Sequence, residues 1–357
     1  MAQQAQRDCA AADRALAQKQ FEVARGLYEA CLKAGNPGFE TLSNLGMTYV
    51  QLGQFNEAIA AYEQALALKP DGSQLHVNLG LALLKTDRYD AAAREFAKAL
   101  VYQPDDTRSE ELLSFCHYQL KEYELAAAEA KRVHQAKPDE ASAAFLEGSA
   151  YLKLHQYEQA VPLLDLALRK IGSSQTHVVM GEAYLGIKDY VNGLNEFLQA
   201  EKIEPQMPGI HSHLGTAYSG LGKTQMAITE YQKELDRDPS DFEAHYMLGH
   251  LKRLTGDFDG ARKLLEQAAE VRPDDPYILH EYAALAIEVK DYAKARDLLR
   301  QAVEKFPDYT EAHVLLATVY FKTHQPELAQ REKAIVEKLK ADEQARQSSQ
   351  ASSPESN

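Results

Sequence analysis

Along this chain apolar residues recur at spacings of three and four, the signature of one helical face, and the whole pattern then repeats. Leu45, Tyr49 and Tyr62 are typical of the large apolar positions. A small residue follows a Leu or a similar residue at Gly46, Gly80, Ser114, Gly148, Gly181, Gly215, Gly249, Ala283 and Ala317, in steps of 34 residues with a single step of 33. Twelve residues after each small position stands an alanine: Ala58, Ala92, Ala126, Ala160, Ala227, Ala261, Ala295 and Ala329. Gly193 takes that place once, and Ala24 extends the series upstream. A proline then closes most periods, at Pro70, Pro104, Pro138, Pro205, Pro239, Pro273 and Pro307.

Each residue type has a physical role. Small residues let two antiparallel helices approach closely, and proline stops the second helix because it has no N–H to donate. Gly53-Gln54 and Gly256-Asp257 mark the short turn inside a period. Each period therefore predicts one helical hairpin, over about 5–38, 39–72, 73–106, 107–140, 141–173, 174–207, 208–241, 242–275, 276–309 and 310–341. A lone hairpin cannot bury its apolar face, so neighbours must stack, and the expected fold is an all-α solenoid forming one continuous domain over 1–346.

The motif resembles the tetratricopeptide repeat, with Leu-Gly-x2-Tyr in the first helix, Ala-x3-Phe/Tyr in the second and a late proline. Leu45-Gly46, Tyr49, Ala58, Tyr62, Ala65 and Pro70 match it best, and the resemblance covers residues 5 to about 341. It implies a right-handed α-solenoid superhelix whose concave face is lined by the first helix of every unit. The last unit departs from the pattern, because Lys333 replaces the second-helix aromatic. A helix starting at Pro326 and running to about Arg346 is expected to cap the stack, with 347–357 compositionally disordered.

By the same resemblance, unit positions 2, 5, 6, 9, 12 and 13 face a peptide-binding groove. Units three to six then present Val77, Leu81, Leu84, Leu112, Phe115, Tyr118, Phe145, Leu146, Leu152, Val178, Val179 and Leu185, an apolar stripe of the kind that marks an interaction surface. Positions 5 and 12 are also where side chains pack between units. Asn44 and Asn78 share position 6, where an amide can both donate to and accept from a peptide backbone. The next units place Leu112, Leu146, Val179, His213, Met247 and Glu281 there, so no asparagine ladder continues. Unit two has Ser43 and Met47 where a dicarboxylate clamp needs lysine and asparagine.

His76, His177, His211, His245 and His313 all fall at position 4 and read as packing residues. His213, His250 and His280 are expected to face the groove from consecutive units, near Tyr246 and Tyr277. Three imidazoles could hold zinc, yet no Glu-containing helical zinc motif accompanies them, and polar recognition is the reading adopted, without metal or cofactor. Cys9, Cys31 and Cys116 form no CxxC and no zinc spacing. Cys9 and Cys31 sit at matching heights on the two helices of unit one. They read as small buried residues, with a disulfide as the alternative in an oxidising compartment.

Composition narrows the function. With 39 Lys and Arg against 53 Asp and Glu, the net charge of −14 repels phosphate backbones and anionic membrane surfaces. No apolar run is long enough for membrane insertion, and Met1-Ala2-Gln3-Gln4 carries no apolar signal core. The compartment is cytoplasmic by default, or periplasmic or secreted if a signal peptide was removed. There is no Gly-rich phosphate loop, no Gly-x-Ser-x-Gly elbow and no His-Glu-x-x-His. The expected role is a scaffold holding a protein or peptide partner, with an enzyme built from groove side chains or a self-assembling array as the competing classes. Between Gly172 and Gly222 lie eight of the nineteen glycines, so units six and seven are expected to open first.

Overall fold

A computed structural model describes residues 2–35 and 38–351. Among them every regular element is a helix, and the helices follow one another in first-and-second pairs at the spacing of the sequence repeat. The pairs are Ala2–Ala17 with Phe21–Lys33, Phe39–Gln51 with Phe55–Leu68, Ser73–Leu84 with Tyr89–Tyr102, Thr107–Gln119 with Tyr123–Ala136, and Ala141–Lys153 with Tyr157–Ile171. They continue with Ser174–Gly186 and Tyr190–Ile203, Ile210–Gly220 and Thr224–Arg237, Phe242–Leu254 and Phe258–Val271, Pro276–Glu288 and Tyr292–Lys305, then Thr310–Lys322 and Pro326–Ala351. The chain forms two compact units, Met1–Asp189 and Tyr190–Asn357, each a stack of such hairpins. The division falls between the first and second helices of the sixth repeat.

The small residue of each first helix is where a large side chain of the second helix seats. A β-carbon on Gly46 would stand 2.7 Å from the Tyr62 ring, one on Gly80 2.6 Å from Phe96, and one on Gly215 2.8 Å from Tyr231. In the fourth repeat the sizes are exchanged: Ser114 faces a second helix with Ala130 at the equivalent place, and the Ser114 hydroxyl donates to the Ala126 carbonyl at 2.8 Å. Phe96, Leu164, Tyr231 and Leu265 are fully buried by this arrangement, each contributing roughly 2–3 kcal/mol of apolar transfer.

The turn inside each hairpin is left-handed. Gly53, Gly222 and Gly256 supply it at φ between 70° and 84°, as the sequence suggests, but Lys19, Asp87, Lys121, His155, Lys188, Lys290 and His324 adopt it too, at φ from 55° to 63°. The backbone hydrogen bonds that close the turn, such as Arg88 N–H to the Leu83 carbonyl at 3.1 Å, hold this conformation on side chains that disfavour it by about 1 kcal/mol.

The glycines of 172–222 have specific tasks. A β-carbon on Gly186 would lie 2.2 Å from the Tyr157 ring, and one on Gly220 2.2 Å from the Tyr190 ring. Gly209 takes φ 77° ahead of Ile210, and its N–H donates to the Glu234 carboxylate. The sequence shows a glycine-rich stretch; the structure shows rings seated on it.

Two expectations change. Cys9 and Cys31 are joined by a disulfide, with their Cα atoms 5.3 Å apart, so the pairing is the alternative and not the reading adopted from sequence. Closing this short loop contributes about 3 kcal/mol in the chain-entropy model. The final helix runs to Ala351, beyond the expected end near Arg346, while 352–357 lie outside the described residues. Lys333 is exposed, consistent with a solvated cap. No described helix is long and apolar enough to cross a membrane.

Candidate functional site

Part of the apolar stripe expected of the first helices of repeats three to six stays accessible in the N-terminal compact unit. Leu81, Leu112, Phe115, Tyr118, Phe145, Leu146 and Leu185 are half-buried there. Phe115 meets the edge of Tyr89 at 6.3 Å between ring centres, and Tyr118 meets Tyr123 at 5.5 Å. Val178 departs from the expectation: it is buried, as are Val77 and Leu152, because positions 5 and 12 pack between neighbouring units. Val179 is buried as well.

Asn44 is engaged within the fold. Its amide donates to Asp13 Oδ1 at 3.1 Å, and the same oxygen accepts from Tyr28 at 2.7 Å. Asn78 accepts from Gln74 at 3.0 Å on its own helix. Both remain half-buried at the face.

In the C-terminal compact unit the polar residues gather differently. Glu281, only 2% exposed, accepts from Arg253 at 2.9 Å on the neighbouring first helix. His250 Nδ1 lies 3.1 Å from its other oxygen, and His280 Nδ1 lies 3.5 Å away. Burial alone would push the Glu281 carboxyl up, but His250, His280 and Arg253 beside it outweigh that and hold the group well below the usual carboxylate range. Beside this network runs a row of rings: Phe242 to Tyr246 at 6.3 Å, Tyr246 to Tyr277 at 6.2 Å, Tyr277 to Tyr309 at 5.7 Å and Tyr309 to His280 at 5.8 Å. Tyr277 is 54% exposed.

His213 does not join the other two histidines; it stacks on Phe197 at 5.0 Å. Among the described residues no three His, Cys, Asp or Glu side chains converge as metal ligands would. The position-4 histidines do more than fill space. Nδ1 of His76, His211 and His313 lies 2.6, 2.8 and 2.6 Å from Glu95, Glu230 and Glu332. Nε2 of His76 and of His313 lies 3.0 Å from the carbonyl oxygens of Pro70 and Pro307, the prolines that close the preceding repeats. The signal that could have revealed these pairs is a glutamate 19 residues after the histidine; His245 has Leu264 there and turns to the Asp241 carbonyl instead.

Family profiles described as tetratricopeptide repeat match residues 43–109, 78–141, 213–276 and 246–310, and a second profile of the same description matches 286–351. The chain belongs to the tetratricopeptide repeat family. Among curated tetratricopeptide relatives and similar proteins, the BBSome complex member BBS4 of Bos taurus is 23% identical over 190 residues, 44% of this chain and 37% of the relative. Tetratricopeptide repeat protein 7B of Homo sapiens is 28% identical over 92 residues, 26% of this chain and 11% of the relative. The chain thus spans well under half the length of either. Among solved structures, a tetratricopeptide repeat protein from Parabacteroides merdae superposes with a TM-score of 0.55 at 17% identity, over 70% of this chain and 98% of that one. The APC/C hetero-tetramer Cut9–Hcn1 superposes with a TM-score of 0.53 at 13% identity, over 92% of this chain and 85% of that one. These likenesses establish the tetratricopeptide solenoid fold, and the family match supports the general role of a protein-interaction scaffold.

Proposed function

We propose that this chain holds a segment of a protein partner against the face made by the first helices of its repeats. One observation carries the reading: Leu81, Leu112, Phe115, Phe145 and Leu146 stay half-buried along successive repeats, although the same repeats bury Val77 and Leu152. A contiguous, partly open apolar face is costly in water and stabilising against a partner. Two likenesses support it: one relative is by name a complex member, and one structural neighbour was solved as a hetero-tetramer. The reading is one of binding, in keeping with Arg253, His250 and His280 gathering around the buried Glu281 carboxylate.

The test is Phe115→Glu combined with Phe145→Glu. Charge placed at the centre of an interface must be desolvated, so partner capture is expected to fall at least about a hundredfold. Helical content by circular dichroism should be unchanged. Undiminished capture by the folded double variant removes the face from consideration.

A further inference from the structure

The ring row of the C-terminal compact unit is chemically unlike the apolar stripe, and it faces an unbalanced charge. Tyr277 stands at its centre, 54% exposed, with Tyr246 and Tyr309 on either side at 6.2 and 5.7 Å. Glu243 lies one turn from Tyr246 on the same helix, and Glu311 lies beside Tyr309; among the described residues neither forms an ion pair. Asp275 caps the helix at the Tyr277 N–H, 2.9 Å away. The cations nearby are committed. Arg253 is held by Glu281 at 2.9 Å, and the Arg272 guanidinium lies 4.0 Å from the centre of the Phe242 ring. The tyrosine hydroxyls feel the same imbalance: burial first, then the charges of Glu281 and Glu243, push Tyr246 up, and burial with Glu311 among the nearby groups pushes Tyr309 up.

Arg272 shows what this row accepts. A planar, weakly hydrated guanidinium stacks on an aromatic face, and the quadrupole of the ring favours its charge. The Phe242 end of the row is filled from within the chain, while the Tyr277 face, flanked by unpaired carboxylates, has the same chemistry and no occupant from its own helices.

We infer that the Tyr246–Tyr277–Tyr309 row, with Glu243 and Glu311 at its flanks, is a subsite for an arginine side chain of the bound partner segment. This rests on the binding role proposed above and gives it a chemical class: a basic, arginine-bearing peptide. Such a segment also suits a chain with net charge −14. Arginine is preferred over lysine because the ammonium is a compact, strongly hydrated charge that cannot stack as a plane.

The experiment is fluorescence anisotropy with the full chain and three labelled Gly-Ser peptides carrying arginine, lysine or glutamate at matched positions. The arginine peptide is expected to bind best and the glutamate peptide not at all. Tyr277→Ala changes no charge, and its side chain is exposed, so folding is retained. It should weaken the arginine peptide about tenfold and the lysine peptide much less. Glu243→Gln with Glu311→Gln should weaken both basic peptides about fivefold, an effect that fades as salt rises. Equal binding of the arginine peptide by wild type and Tyr277→Ala overturns the subsite, whatever the bulk charge contributes. If no peptide shows arginine preference while partner capture still depends on Phe115 and Phe145, the subsite falls and the binding face stands. If capture is also indifferent to those phenylalanines, both fall.

Discussion

The two compact units share one scaffold and differ in what they mount on it. In the N-terminal unit, position 6 of successive repeats carries Leu112 and Leu146, and the exposed face is apolar. In the C-terminal unit the same position carries Glu281, buried and held by Arg253, with tyrosines around it. A 34-residue hairpin therefore constrains the seams between helices and leaves the open face free to take either chemistry. Family membership reports on the seams; the partner must be sought in the residues between them.

Breaking the comparison at position 6 should give the largest effect. Glu281→Gln leaves the largely buried Arg253 with only the exposed Glu288, 3.9 Å away, as a counter-charge, and a loss of up to about 3 kcal/mol is expected in calorimetric unfolding. Leu146→Ala at the equivalent place removes a half-buried side chain and should cost about 1 kcal/mol. Equal losses would mean that the charged network is not under load.

Acid separates the units further. The folded Glu281 carboxyl lies below its ordinary value of 4.5, so its stabilisation is complete above that value and is lost as pH falls beneath it. Glu129 behaves oppositely: burial pushes it up despite His117 at 2.8 Å, so its contribution is complete below the ordinary value and is lost as pH rises. The deficit in melting temperature of Glu281→Gln against wild type should shrink as pH falls from neutrality to about 3.5. Glu129→Gln should be neutral or stabilising near neutrality and lose that advantage in acid. A deficit for Glu281→Gln that grows in acid would reverse the assignment.

Where the same kind of seam recurs inside each unit, matched substitutions should match in cost. Gly186→Ala and Gly220→Ala each drive a methyl into a tyrosine ring, Tyr157 or Tyr190, and about 1–3 kcal/mol is expected from both. Hydrogen exchange on the unsubstituted chain adds a regional measure: protection across 174–222 is expected to be lower than across 39–106, and equal protection would dispose of a weak joint. The smallest effect is a gain. Lys121→Gly and Lys290→Gly relieve left-handed residues at φ 63° and 62°, and each should stabilise by up to about 1 kcal/mol.

The repeat, its helical hairpins and its small-to-large seams were legible because each is written in spacing. A 34-residue period fixes which residues share a helical face, and Gly46 or Gly80 announces a close crossing without any knowledge of its partner. The buried histidines were legible in part: their position marked them as interior, but the glutamates that His76, His211 and His313 face lie on the other helix of the hairpin. Only the tertiary structure paired Cys9 with Cys31, buried Val178 while leaving Phe115 partly open, parted His213 from His250 and His280, and closed a ring row across Tyr246, Tyr277 and Tyr309. The reason is geometric. Sequence periodicity sets the angle at which a side chain leaves its own helix, whereas contact with another helix depends on the crossing distance and rotamer at the seam, which the period alone does not specify.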